Sequence, residues 1–311
     1  MLGPSALLAF HALALCTILV GTTAAPAATL RVGPDGPYKT PSDAAAVAQD
    51  GDHIEIAAGQ YHDCAVWRAN NLVIEGVGPE ALISDKTCLG KALFVITGND
   101  ITVRNLTLIR ARVPDMNGAG IRQEGRNLTI ERVRFIDNEN GILGGPSPDS
   151  TVIIRNSVFE RNGVCSPVCA HGIYFGDIKL LRVEASRFFE TRQGHHIKSR
   201  AKRTEVIACD ISDGPNGTAS YLIDVPNGGS LLVSGNALEK GPNSDNHKTA
   251  IAIGEEGVTH PIETMLVERN VFRNDGDYQT ALVWNDTQVP VKLSENKLYG
   301  RVIALLGAGK N

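Results

Sequence analysis

Over most of its length the chain alternates apolar and polar residues in short runs, many with an asparagine near the end. Clear copies are LTIERVRF (128–135), VIIRNSVF (152–159), LRVEASRF (181–188), LLVSGNAL (231–238), MLVERNVF (265–272) and VKLSENKL (291–298). ITVRNLTL (101–108) and EVIACDIS (205–212) are looser copies. Alternation with period two puts successive side chains on opposite faces, so each run predicts a strand. Aligned on Val103, Ile130, Ile154, Val183, Ile207, Val233, Val267 and Leu293, the copies recur every 24 to 34 residues.

A second short strand follows each copy: GAGIRQE, NGILGG, HGIYFG, HHIKSR, YLIDVP, IAIGEE and ALVWND. Such a unit cannot bury its apolar face alone. Stacked units can, which predicts a solenoid whose variable loops absorb the differences in repeat length. Asn236, Asn270 and Asn296 fall at equivalent turns, where stacked amides would satisfy backbone groups from coil to coil.

This layout resembles the right-handed parallel β-helix of the pectin-lyase-like superfamily over essentially all of residues 28–311. The opening YKTPSDAAAVAQDGDHIEIAAGQYHD is similar to the N-terminal module of such proteins, a strand and short helix capping the coil stack within residues 28–60. The helix is expected over about residues 42–49 with Ser42 as N-cap. The expected class is thus all-β, a single solenoid domain with a helical cap. The resemblance fixes no chemistry, because this fold carries lyases, hydrolases, esterases, epimerases and inert adhesins.

With Ile121, Ile142, Ile173, Ile197 and Ile223 pointing inward, Arg122, Leu143, Tyr174, Lys198 and Asp224 form one outward column. Gly254 and Trp284 are expected to continue it, and Glu124, Gly144, Gly176, Arg200 and Pro226 to form a parallel one. His195 and His196 precede the Lys198 strand, and His171 stands one coil earlier. A shallow basic groove of this kind suits an acidic polysaccharide.

A uronate lyase or C5-epimerase needs a cation to neutralise the sugar carboxylate, a base for the adjacent C–H and an acid. Lys198 is the expected base, its pKa lowered by Arg200. Tyr174 is the expected acid, Arg200 or Arg122 the carboxylate clamp, and His196 an alternative base. Asp224, His171, His195 and Trp284 complete the expected substrate-binding set. The plain structural alternative is that Lys198 simply pairs with Asp224 across neighbouring strands. Related lyases use Lys/Arg pairs, some with calcium, and related epimerases use histidine and tyrosine. Calcium is therefore the one ion the resemblance allows, although no metal cluster stands out. The D-P-H epimerase signature and the clustered aspartates of calcium-dependent pectate lyases are absent. Two other readings stand beside this one: a glycoside hydrolase, for which Asp213 with Asp224 is the available carboxylate pair, and a non-catalytic polysaccharide-binding or assembly protein.

Composition narrows the partners. Among 311 residues, 30 basic and 34 acidic side chains give a formal charge of −4, which argues against nucleic acid or a membrane surface. Residues 1–27 read as a signal peptide, apolar and ending in APA, so a secreted or periplasmic location is expected. Cys64 with Cys88 and Cys165 with Cys169 are the expected disulfides, leaving Cys209 as a buried free thiol.

Overall fold

The computed structural model describes Met1, Gly3 and residues 27–310; the expected signal peptide falls almost wholly outside the described residues. Among the described residues, no helix is long and apolar enough to cross a membrane. The chain winds into a parallel β-solenoid of about ten turns. A typical turn contributes two strands to a 20-stranded sheet and one to a 10-stranded sheet. Coil-to-coil pairing is parallel throughout both sheets; among the described residues, antiparallel pairing is confined to the small hairpin of Val164–Cys165 and Cys169–Ala170 and an isolated bridge between Cys88 and Ala92.

The inward apolar positions form one continuous core. Phe135, Phe159 and Phe188 stack on successive turns at 4.7 and 4.5 Å between ring centroids. Beside them run two asparagine ladders. Asn236 Nδ2 donates to Asn270 Oδ1 at 2.8 Å, and Asn270 Nδ2 to Asn296 Oδ1 at 2.9 Å, as the spacing predicted. Asn138 and Asn162 form a further rung that the spacing did not single out. Each buried amide also donates to a carbonyl near the end of a strand in the preceding coil, Val206 for Asn236 and Val233 for Asn270, so buried backbone acceptors there gain a partner.

Two local expectations need correction. The helix is Pro41–Ala45, shorter than expected, and Thr40 rather than Ser42 is its N-cap. Thr40 and Asp43 form a reciprocal capping box that fixes the start two residues earlier than Ser42 would. In EVIACDIS the inward residue is Val206, which pairs with Val183 and Val233; Ile207 faces outward. Both residues are β-branched and apolar, so the pattern could not choose between them.

Cys64 is bonded to Cys88 and Cys165 to Cys169. Cys209 is free and buried, and burial pushes its thiol up to about 11, which keeps it an inert core residue.

Candidate functional site

The 10-stranded sheet carries the outward column. Register is continuous: Arg122 opposes Leu143, Leu143 opposes Tyr174, Tyr174 opposes Lys198, and Lys198 opposes Asp224. The next rungs are Ala252 and Trp284, not Gly254. The Thr249–Ile253 strand ends before Gly254, which turns the chain with φ +81°. In the parallel column Gly144 pairs with Gln123 and Phe175, one residue away from its expected place beside Glu124 and Gly176.

At the centre, Lys198 Nζ donates to Asp224 Oδ2 at 2.6 Å and to Glu256 Oε1 at 2.9 Å. Arg200 Nη2 donates to Glu256 Oε2 at 2.6 Å, Nη1 donates to Asn227 Oδ1, and Nε donates to the Tyr174 oxygen at 3.0 Å. One lone pair of the phenol oxygen is thus taken by the guanidinium, and its O–H is free to point elsewhere. The cations do not stand open to water as expected. Only 10% of the Lys198 side chain is exposed and none of Asp224, because the turn carrying Glu255 and Glu256 lies over them. That turn also neutralises the charge, so no net basic groove runs past Lys198.

Electrostatics reverse the expected role of Lys198. Burial opposes its charged form, but Asp224 and then Glu256 outweigh burial and raise its pKa above the ordinary lysine value. Arg200 therefore does not turn Lys198 into a base; the paired carboxylates hold it as a permanent cation.

A ring stack flanks this centre. His171 lies against His195 at 5.0 Å, His195 against Tyr221 at 5.0 Å, and the Tyr174 edge meets His171 at 5.6 Å. Backbone N–H groups fix both histidine tautomers. His195 N donates to His171 Nδ1, and Tyr221 N donates to His195 Nδ1. Each neutral ring must then carry its proton on Nε2, which in His195 faces Asp224 Oδ2 at 3.3 Å. Burial, with Lys198 and Arg200 adding to it, pushes His171 down to about 3. Burial and the neighbouring His171 and Lys198 hold His195 well below the usual histidine range. These are neutral N–H donors.

His196 is a correction. It points into the coil, fully buried, with Nε2 on Asp213 Oδ1 at 2.9 Å and Nδ1 on Thr191 Oγ1 at 2.8 Å. It cannot meet a polymer lying outside the sheet, so it is not placed to act as the base. Asp213 is likewise buried inside, so it forms no carboxylate pair with Asp224. Arg122 lies about 10 Å from Tyr174 and Trp284 about 14 Å from Lys198 at the sheet spacing, and the column runs on past them to Val95 and Leu306. Arg122 Nε lies 3.7 Å from Glu124, and the Lys248 ammonium covers the Trp284 ring.

The sequence reading missed Glu255 and Glu256. They sit in the turn after the Thr249–Ile253 strand and fold back across two rungs to reach Lys198, a step that alternation does not encode. One carboxylate oxygen from each of Asp224, Glu255 and Glu256 falls within 4.8 Å of the others. This cluster does not suit calcium, because Lys198 Nζ already bonds two of the three and supplies the positive charge. Asp224 Oδ1 and Glu255 Oε2 are nonetheless buried without a partner.

Comparison with known proteins agrees with the fold. The structure is similar to alginate lyase from Paenibacillus sp. str. FPU-7, with TM-score 0.51 and 14% identity over 89% of this chain and 99% of that one. It is also similar to pectate lyase Pel9A, with TM-score 0.52 and 12% identity over 90% and 79% of the two chains. A pectin methylesterase from carrot matches at TM-score 0.47 and 12% identity over 91% and 90%. No family model and no curated protein sequence matches the chain. The chain is a right-handed parallel β-helix repeat protein, as its resemblance to the pectin-lyase-like superfamily implied.

Proposed function

We propose that this protein is an extracytoplasmic lyase that cleaves an acidic polysaccharide by β-elimination on the outward column at Tyr174, Lys198 and Arg200. The observation that carries the reading is the Arg200 Nε–Tyr174 oxygen contact at 3.0 Å, one rung from a lysine held as a cation. Lys198 and Arg200 neutralise the uronate carboxylate, which makes the adjacent C–H acidic. Tyr174, its oxygen held by Arg200, gives up its own proton to solvent as the polymer binds, then takes the C–H proton as phenolate and returns it to the departing glycosidic oxygen. The neutral Nε2–H of His171 positions the sugar, while that of His195 faces Asp224 and braces the cluster beneath it. The polymer extends along the sheet toward Arg122 on one side and Trp284 on the other. Among fold neighbours with the same winding are proteins named as an alginate lyase and a pectate lyase, which supports a uronate polymer as substrate.

The test is a screen against alginate, pectate, glycosaminoglycans and bacterial exopolysaccharides, followed by ultraviolet absorbance of the unsaturated product. The expected result is a steady rise with one acidic polymer. A shifted polymer in a native gel with no absorbance change would favour a binding protein instead. New reducing ends without absorbance would favour hydrolysis.

A further inference from the structure

The Glu255–Glu256 turn has no part in the elimination just described, yet it covers both cations. Its geometry has two independent features. Glu256 places one carboxylate oxygen on Lys198 Nζ and the other on Arg200 Nη2, the bridging arrangement a bound carboxylate ligand would take. Glu255, the neighbouring residue, brings a carboxylate oxygen within 4.8 Å of one from Asp224, and Glu255 Oε2 and Asp224 Oδ1 are both buried and partnerless. Two orphaned carboxylate oxygens facing one small space are both satisfied by one proton shared between them.

We infer that the Glu255–Glu256 turn is a substrate-displaced cover: Glu256 occupies the position of a uronate carboxylate between Lys198 and Arg200, and Glu255 latches the turn through a proton shared with Asp224. The identity of the displacing ligand rests on the lyase reading above; the latch does not. With the cover closed, two cations face Asp224 and Glu256 and the site is balanced. With Glu256 lifted away, the cations outnumber the carboxylates and accept an anion.

Protonation supports the latch. Burial, then the hydrogen bond to Asp224 and its charge, raise Glu255 to about 8. The other groups facing it are Lys198 and Tyr221, the latter raised chiefly by burial and so a neutral phenol through this range. A carboxyl whose pKa is higher in the closed state favours closure fully below its ordinary value near 4.5. That preference is lost progressively as pH rises to about 8. Opening thus becomes easier toward alkaline pH.

The experiment measures calorimetric binding of galacturonate and mannuronate trimers to wild type, Glu256→Gln and Glu255→Gln from pH 5 to 8.5. Hydrogen exchange of the Gly254, Glu256 and Gly257 amides is followed in parallel without ligand, since these amides are hydrogen-bonded in the closed turn. Glu256→Gln should bind a trimer at least about tenfold more tightly than wild type at pH 6, because the competing carboxylate is gone. Wild-type affinity should climb with pH by up to about tenfold per unit, while Glu255→Gln stays flat. Protection of the three amides, corrected for intrinsic exchange, should fall with pH in wild type and not in Glu255→Gln. Equal trimer affinity of Glu256→Gln and wild type, or identical pH dependence of protection in wild type and Glu255→Gln, would overturn the inference. A calcium-dependent rise in protection at neutral pH would put a cation rather than a proton between the carboxylates and overturn the latch. The expected protection pattern with no trimer bound by any variant would support the latch and overturn the uronate reading of the site.

Discussion

Two histidine–carboxylate clusters lie on opposite faces of one short stretch of chain. Inside the coil, His196 has Thr191 on one ring nitrogen and Asp213 on the other, and Asp213 Oδ2 accepts from Gly241 N. Outside, His195 and Lys198 converge on Asp224 Oδ2, but Asp224 Oδ1 is left buried and alone. The inner cluster is closed: its hydrogen-bonding groups face one another, which is how a buried polar network secures a fold. The outer cluster carries a partly exposed arginine and tyrosine, and its cations are balanced only by a turn lying over it. That incomplete satisfaction, beside a partly exposed arginine, is the feature on which the proposed displacement of the turn rests.

That contrast predicts an order of effects on stability. His196→Ala, which strands the buried Asp213, should cost about 3 kcal/mol in denaturant unfolding. Asn270→Ala, which leaves donors of neighbouring ladder rungs unpaired, should cost about 2 kcal/mol by the same measurement. His195→Ala, which removes one ring from the His171–His195–Tyr221 stack on the outer face, should cost about 1 kcal/mol. Arg200→Lys should stay within about 0.5 kcal/mol of wild type, since the side chain is partly exposed. For turnover the order should invert. Arg200→Lys should slow the reaction by about 100-fold through loss of the fork that grips Tyr174 and the carboxylate together. If Arg200→Lys destabilised the protein more than His196→Ala did, the division between inner and outer clusters would be wrong.

The fold was legible because alternation alone decides which face each side chain takes, and eight stacked copies repeat the decision. The same rule placed Arg122, Leu143, Tyr174, Lys198 and Asp224 on one flank in correct register. It failed where alternation stops. Val206 and Ile207 are interchangeable to a pattern of apolar residues. Gly254 lies past the end of its strand, so counting by twos overran into a turn. His196 precedes the Ile197–Ser199 strand, and its inward direction depends on Asp213 from the following turn. Glu255 and Glu256 reach the site by a fold-back whose path is set by packing, and Glu256 there joins Asp224, the larger influence, in holding Lys198 as a fixed cation rather than the expected base.

The central claim is that Tyr174, gripped by Arg200, moves the proton during elimination from a uronate polymer. Its most direct test is the initial rate of unsaturated-product formation by Tyr174→Phe against wild type, on the polymer the screen identifies. Phenylalanine keeps the ring against His171 and removes only the oxygen. The account predicts a fall of about 100-fold or more in kcat with binding of the polymer retained. A variant turning over at near wild-type rate would contradict it.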